Sequence, residues 1–145
     1  MKKLAIAMLA GWTLIQVQAA ELEWLTDLPK AQAKAKAENK LVLLDFTGSD
    51  WCGWCIRLNK EVFSQPEFAK YSKDNLVLVE VDFPQRKVLS AEQKSANDAL
   101  QKKYEIKGYP TIIVLNGDGK KVAELGYMKG GPTVFTAELD KAKKR

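Results

Sequence analysis

The chain has no histidine and only two cysteines among its 145 residues. The first absence excludes Ser-His-Asp and Cys-His catalysis and every His-ligated metal centre. The second leaves too few ligands to close a zinc finger or ribbon. A c-type haem attachment needs a histidine directly after the second cysteine, and Ile56 stands there. No glycine-rich phosphate loop is present. Gly117 and Gly119 flank Asp118 in a turn pattern, and no Gly-Lys-Ser/Thr follows. Basic side chains exceed acidic ones only mildly, 23 against 18. They show no interleaving with aromatics of the kind that binds nucleic acid, so no nucleic-acid partner is expected.

Both cysteines fall in Trp51-Cys52-Gly53-Trp54-Cys55, which follows the apolar run Leu41-Val42-Leu43-Leu44-Asp45-Phe46 after four residues. Strand, tight turn, Cys-x-x-Cys, helix is a redox arrangement. A spacing of three lets one helical turn bring the sulfurs within bonding distance. Cys52 then sits at a helix N-terminus, where unpaired N–H groups and the macrodipole stabilise a thiolate. That makes Cys52 the expected nucleophile and Cys55 the resolving thiol. A structural disulfide across so short a loop would restrain little of the unfolded chain. A two-thiolate Cu(I) site remains chemically open.

The N-terminus reads as an export signal. Lys2 and Lys3 provide a positive start, and Leu4 to Ile15 an apolar core short of the ~20 residues of a membrane span. Val17-Gln18-Ala19 is a small-x-small cleavage pattern, with a cut after Ala20 as the alternative. The expected division is therefore a signal peptide over residues 1–19 and one domain over 20–145, periplasmic or secreted. The remaining length of about 125 residues suits one ordinary domain. The basic tail Lys141, Lys143, Lys144, Arg145 reads as the solvated end of a helix.

Along that domain the pattern alternates. Glu21 to Leu25 reads as a short strand with Trp24 facing the core. Thr26 or Asp27 can cap a helix with Pro29 in its first turn, ending near Asn39. Leu41 to Phe46 is a strand covered on both faces. From Cys52 a helix carries Cys55, Leu58 and Val62 on one face, and Ser64-Gln65-Pro66 breaks it or restarts a turn. Leu76 to Phe83 is a second strong strand. Ser90-x-x-Gln93 is a capping box opening a helix with an Ala96, Leu100, Tyr104 stripe, read as core. Thr111 to Leu115, the turn Asn116-Gly117-Asp118-Gly119 and Lys121 to Leu125 form a hairpin. Pro132 to Lys143 is a last helix. The predicted order β-α-β-α-β-α-β-β-α is an α/β domain of three layers, with a mixed central sheet.

With Asp45-Phe46, the Trp-Cys-Gly-Trp-Cys motif and Gly108-Tyr109-Pro110-Thr111 in view, the chain resembles the thioredoxin superfamily, and most its exported bacterial branch. The resemblance runs from about Trp24 to Lys143. It implies a thioredoxin-like α/β/α fold and a cis-proline at Pro110 opposite the cysteines. It implies that the backbone of Tyr109 pairs with a substrate segment, and that Asp45 lies buried under Cys55 and moves its proton. Trp51 matches the family's tryptophan before the motif, and Trp54 stands where thioredoxin has proline, on the substrate face. Pro84 to Lys103 is longer than the family's equivalent. Thioredoxin's second buried charge has no clear match, although Glu80 is near.

The expected activity is exported thiol–disulfide exchange on protein disulfides, from the reductase or isomerase side. Cys52, Cys55 and Asp45 would carry the chemistry, and Trp51, Trp54, Tyr109 and Pro110 would hold the substrate. No cofactor and no metal are called for. The expected partners are disulfide-bearing proteins and a membrane thiol–disulfide electron donor, with the protein acting as a monomer. The rival reading is a non-catalytic binding module that holds a client peptide or Cu(I) in the same groove.

Overall fold

A computed structural model describes residues 21–145. The signal segment and its cleavage site lie outside the described residues. The elements are β1 (Trp24–Leu25), α1 (Leu28–Glu38), β2 (Leu41–Thr47), α2 (Gly53–Leu58), a π-helical turn (Asn59–Phe63), α3 (Pro66–Asn75), β3 (Leu76–Asp82), α4 (Ala91–Lys103), β4 (Thr111–Leu115), β5 (Lys121–Leu125) and α5 (Gly131–Ala142).

The strands form one sheet in the order β1-β3-β2-β4-β5. β1, β3 and β2 run parallel, while β4 and β5 are antiparallel additions. Alternation along the strands splits the side chains between two faces. Leu43, Leu78, Ile112 and Val114 pack on one face against Leu58, Val62, Phe68 and Phe135. Val42, Leu44, Phe46, Val79 and Ile113 pack on the other against Ala31 and Ala35 of α1, Leu100 of α4 and Tyr104 at its C-terminal cap. The expected three layers and mixed sheet are therefore present. Truncating a wholly buried ring such as Phe135 to alanine removes about 3–5 kcal/mol in cores of this kind.

Local signals place the ends of the elements. The Asp27 carboxylate accepts the Lys30 N–H at 3.0 Å and starts α1, and Asn39 closes that helix in a left-handed conformation. Ser90 Oγ accepts the Gln93 N–H at 3.1 Å. The other half of the predicted capping box does not form, because the Gln93 amide donates to Thr26 O and Asn97 Oδ1. In the hairpin, Asn116 Oδ1 takes the N–H groups of Asp118 and Lys120, and Gly119 holds a positive φ of 82°.

Three expectations need correction. The one helix counted between β2 and β3 is two: the expected break at Ser64-Gln65 is present, with α3 starting at Pro66, but it is reached through a π-helical turn in which the Ser64 N–H bonds back five residues to Asn59 O at 2.8 Å. The extra residue turns both Val62 and Phe63 inward. On α4 the Ala96 end of the expected core stripe is exposed, and the residue that helix buries is Asn97. Asn97 is there because its amide donates to Asp82 O at 2.8 Å. The strand expected over Leu76 to Phe83, β3, ends at Asp82.

Candidate active site

Two parallel strands carry their apolar residues at one end and their acids at the other. On the face under α2, β2 reads Leu41, Leu43, Asp45, Thr47, and β3 reads Leu76, Leu78, Glu80, Asp82. The acidic ends meet where the chain leaves β2 for the cysteine motif.

A turn over Gly48 brings the cysteines to that edge. Gly48 O accepts the Trp51 N–H at 3.2 Å and the Cys52 N–H at 2.9 Å. The Trp51 indole lies so close over Gly48 that an added Cβ would meet it at 2.4 Å, so only glycine fits. Cys52 caps α2, its Sγ accepting the Cys55 N–H at 3.2 Å. The two cysteines are joined as a disulfide, with their Cα atoms 5.2 Å apart.

The two sulfurs face different surroundings. Cys55 lines a cavity of about 440 Å³ together with Asp45, Glu80, Thr47, Ser49 and Lys60. Cys52, also buried, does not line it, and is flanked in the chain by the exposed Trp51 and Trp54. Asp45 is buried, and its Oδ1 has no hydrogen-bond partner among the described residues. Burial pushes its carboxyl up to about 8, and the nearby Glu80 and Asp82 add to the shift. Burial also raises Glu80, helped by Asp82 and opposed by Lys87. Burial works against ionisation of Asp82 too. There the Lys87 ammonium at 2.8 Å and the Ser49 N–H and Oγ at 2.9 and 2.6 Å prevail, and its carboxyl falls below the ordinary range.

On the outer side, the Tyr109–Pro110 peptide bond is cis. Thr111 pairs with Phe46, which places Tyr109 and Pro110 at the same edge of the sheet as the motif. The Tyr109 ring makes an edge contact with Trp51 at 5.9 Å. Trp54, 55% exposed, stacks on Tyr127 at 5.0 Å, and the Arg57 guanidinium lies 5.4 Å from one ring and 5.3 Å from the other. Glu61 ties this group together, accepting from Arg57 and from the Tyr127 hydroxyl, each at 2.7 Å.

A thioredoxin-like domain family matches residues 28–143. The chain belongs to that family. It is 34% identical over 128 residues to the disulfide bond reductase DsbH of Chlamydia pneumoniae, covering 88% of this chain and 76% of that one. A solved DsbH oxidoreductase superposes with a TM-score of 0.82 at 33% identity, over 93% of this chain and 95% of that one. The thiol:disulfide interchange protein DsbD of Klebsiella pneumoniae is 34% identical over 112 residues, which span 74% of this chain and 17% of that longer protein. A thioredoxin-like chain with this cysteine pair is a thiol–disulfide oxidoreductase.

All seven residues singled out in the sequence lie at one edge of this thioredoxin-like sheet. Sequence reasoning missed their supports: Arg57, Glu61, Phe83, Lys87 and Tyr127. Glu80 and Asp82 did leave a signal, two acids at alternate positions in an otherwise apolar strand, on the face that Asp45 shares. Among the described residues, no group of three His, Cys, Asp or Glu side chains is arranged to hold a metal ion.

The longer segment after β3 is bound to the site. The Asp50 carboxylate accepts the N–H groups of Gln85, Arg86 and Lys87 at 2.9, 2.7 and 3.0 Å. These bonds hold Asp50 below the usual carboxylate range, the Gln85 N–H foremost. Trp51 Nε1 donates to Phe83 O at 2.7 Å, and Phe83 packs on Tyr109 at 5.4 Å. Asp50→Ala is therefore expected to release residues 85–87 without unfolding the domain. Hydrogen exchange should show those amides losing protection while β2 and β3 keep theirs; unchanged protection at 85–87 would disprove the tether.

Proposed function

We propose that the protein is exported and reduces or isomerises disulfides in client proteins. The observation that carries this reading is the unequal setting of the two cysteines. Cys52, at the cap of α2 and beside the exposed Trp51 and Trp54, attacks the client disulfide. Cys55, over the cavity with Asp45, resolves the mixed disulfide, and Asp45 takes its proton. Pro110 has no N–H to compete for a ligand, so the backbone at Tyr109 is left to pair with the client segment. Trp51, Trp54 and Tyr109 supply apolar contact around it. Export is supported by Lys2, Lys3 and the short apolar core after them. Among the described residues, no helix is long and apolar enough to cross a membrane.

The reducing direction has two supports. The similar DsbH is named for disulfide reduction. The motif itself holds no cation that would make the thiolate very acidic, a condition for a strong oxidant. Asp50, which could oppose the thiolate, spends its charge on three N–H groups of the following loop. A sustained reductase needs electrons, and the proposed source is a membrane thiol–disulfide protein.

Insulin reduction by dithiothreitol, with and without the protein, tests the activity. Equilibration with glutathione tests the direction. The expected potential is about −200 to −270 mV, and a value near the ~−120 mV of strong oxidants would overturn the direction.

A further inference from the structure

We propose that Glu80 is a positioning residue for the exchange reaction, coupled to Asp45 so that the two carboxylates store one proton for Cys55 and exchange it with solvent through Glu80. The proposal rests on the exchange reading above and deepens it. Asp45 and Glu80 are direct neighbours across β2 and β3 and project from the same face of the sheet. Both line the cavity that Cys55 lines. Asp45 is the inner of the two, buried and with Oδ1 unpartnered among the described residues. Glu80 is the outer one, with a third of its side chain exposed. It therefore joins an enclosed carboxyl to water.

The other charged groups around the cavity have other engagements or stand at its rim. Asp82 on β3 is held by Ser49 and by Lys87 from the loop after β3, and its charge also raises both Asp45 and Glu80. Lys87 stands 3.8 Å from Glu80, at the edge of ion-pair range. Lys60, from the π-helical turn, lines the cavity as well. Neighbouring carboxylates resist ionising together, so the titrations of Asp45 and Glu80 are coupled, with Asp82 as a nearby charge held by Lys87 and Ser49. The charge of Glu80, together with that of Asp82, thus helps keep a proton on Asp45 while the cysteines are oxidised.

The proton then balances through the cycle. With a client joined to Cys52, the Cys55 thiol gives its proton to Asp45. Its thiolate attacks Cys52 Sγ, and the Cys52–client bond breaks with both electrons going to the client sulfur, which water protonates. In the return step a thiolate of a donor dithiol attacks Cys52 Sγ. The Cys52–Cys55 bond breaks with its electron pair going to Cys55, which recovers the stored proton. The second donor thiolate then attacks the donor sulfur bound to Cys52, freeing the Cys52 thiolate and leaving the donor as a disulfide.

Infrared difference titration of the oxidised protein reads the stored proton directly. The wild type is expected to show a buried carboxylic-acid band that Asp45→Asn removes. Glu80→Gln should move its midpoint down by about one pH unit or more, and Glu80→Asp should restore most of the shift. The rate of disulfide reduction by dithiothreitol should lose its alkaline limb at correspondingly lower pH in Glu80→Gln. In the Asp45→Asn background, Glu80→Gln should leave that profile unmoved. A band and a limb that stay in place in Glu80→Gln, or a limb that shifts equally in the Asp45→Asn background, would overturn the coupling. Insulin reduction run alongside separates the two readings. An unmoved band in an active protein removes only the role of Glu80, whereas a protein that reduces no disulfide removes the exchange reading.

Discussion

Cys52→Ser is expected to reduce disulfide exchange to the uncatalysed background, while Cys55→Ser keeps the first attack and accumulates mixed disulfides with clients. A serine hydroxyl does not ionise at working pH, so the first variant has no nucleophile. The assignment follows from the different settings of the two sulfurs. Cys52 Sγ already accepts the Cys55 N–H, a bond that strengthens when the acceptor is a thiolate. It also stands at the start of a helical segment that continues from Gly53 to Phe63, whose first N–H groups favour negative charge. Cys55 instead faces the cavity and its carboxyls. In the reduced protein, Cys52 should therefore titrate below the ~8.5 of a free thiol and be alkylated first. Mass analysis after brief alkylation, together with gel detection of mixed disulfides in each variant, measures both effects. Trapping by Cys52→Ser and not by Cys55→Ser would reverse the assignment.

Asp45→Asn should make the oxidised protein more stable at neutral and alkaline pH, although it removes a group proposed to assist turnover. Burial raises the native carboxyl from its ordinary value of 3.8 to about 8. Between those two values the native protein holds a proton that the unfolded chain has released. Stability therefore falls as pH rises through that window, by about 1.4 kcal/mol per pH unit, and levels off above the native value. By neutral pH the accumulated loss is on the order of 4 kcal/mol. Asparagine does not ionise, so the variant escapes this loss, less roughly 1 kcal/mol if its buried amide goes unpartnered. Glu80, also raised, adds a slope of the same sign. Asp82, lowered by Lys87 and Ser49 against the effect of burial, has the opposite sign. Its contribution is present above the unfolded value and is lost only in acid. Urea denaturation of both proteins at pH 5 and pH 8 decides the matter. A wild type as stable at pH 8 as at pH 5, or a variant with the same pH slope, would refute the burial cost assigned to Asp45.

Much of this protein was settled locally, and those features were legible in the sequence. Asp27, Asn39 and Ser90 end or begin helices through bonds to residues a few positions away. Asn116 to Gly119 closes its hairpin by the same kind of short-range contact. The apolar run Leu41 to Phe46 reads as a buried strand from its length and its flanks, and it forms one. The spacing of Cys52 and Cys55 on one helical turn is likewise sufficient for their disulfide. Other features depend on partners far along the chain. The five-residue bond at Asn59 turns Phe63 inward against Trp24, Phe68 and Phe135, and no local periodicity encodes that choice. Leu100 and Tyr104 of the expected stripe pack on the core, but Ala96 is exposed and Asn97 is buried beside it, because Asp82 O lies opposite Asn97. Asp50 became the anchor of a loop thirty-five residues away rather than a free charge beside the thiols. Asp45 and Glu80 each stand out in sequence as acids in apolar strands, but that they are neighbours is decided by the parallel pairing of β2 with β3, which sets them side by side. Hydrogen-bond caps and apolar runs act within a few residues, so the sequence by itself determined them. Which charges share a cavity is decided by strand register and helix packing, which only the tertiary structure provides.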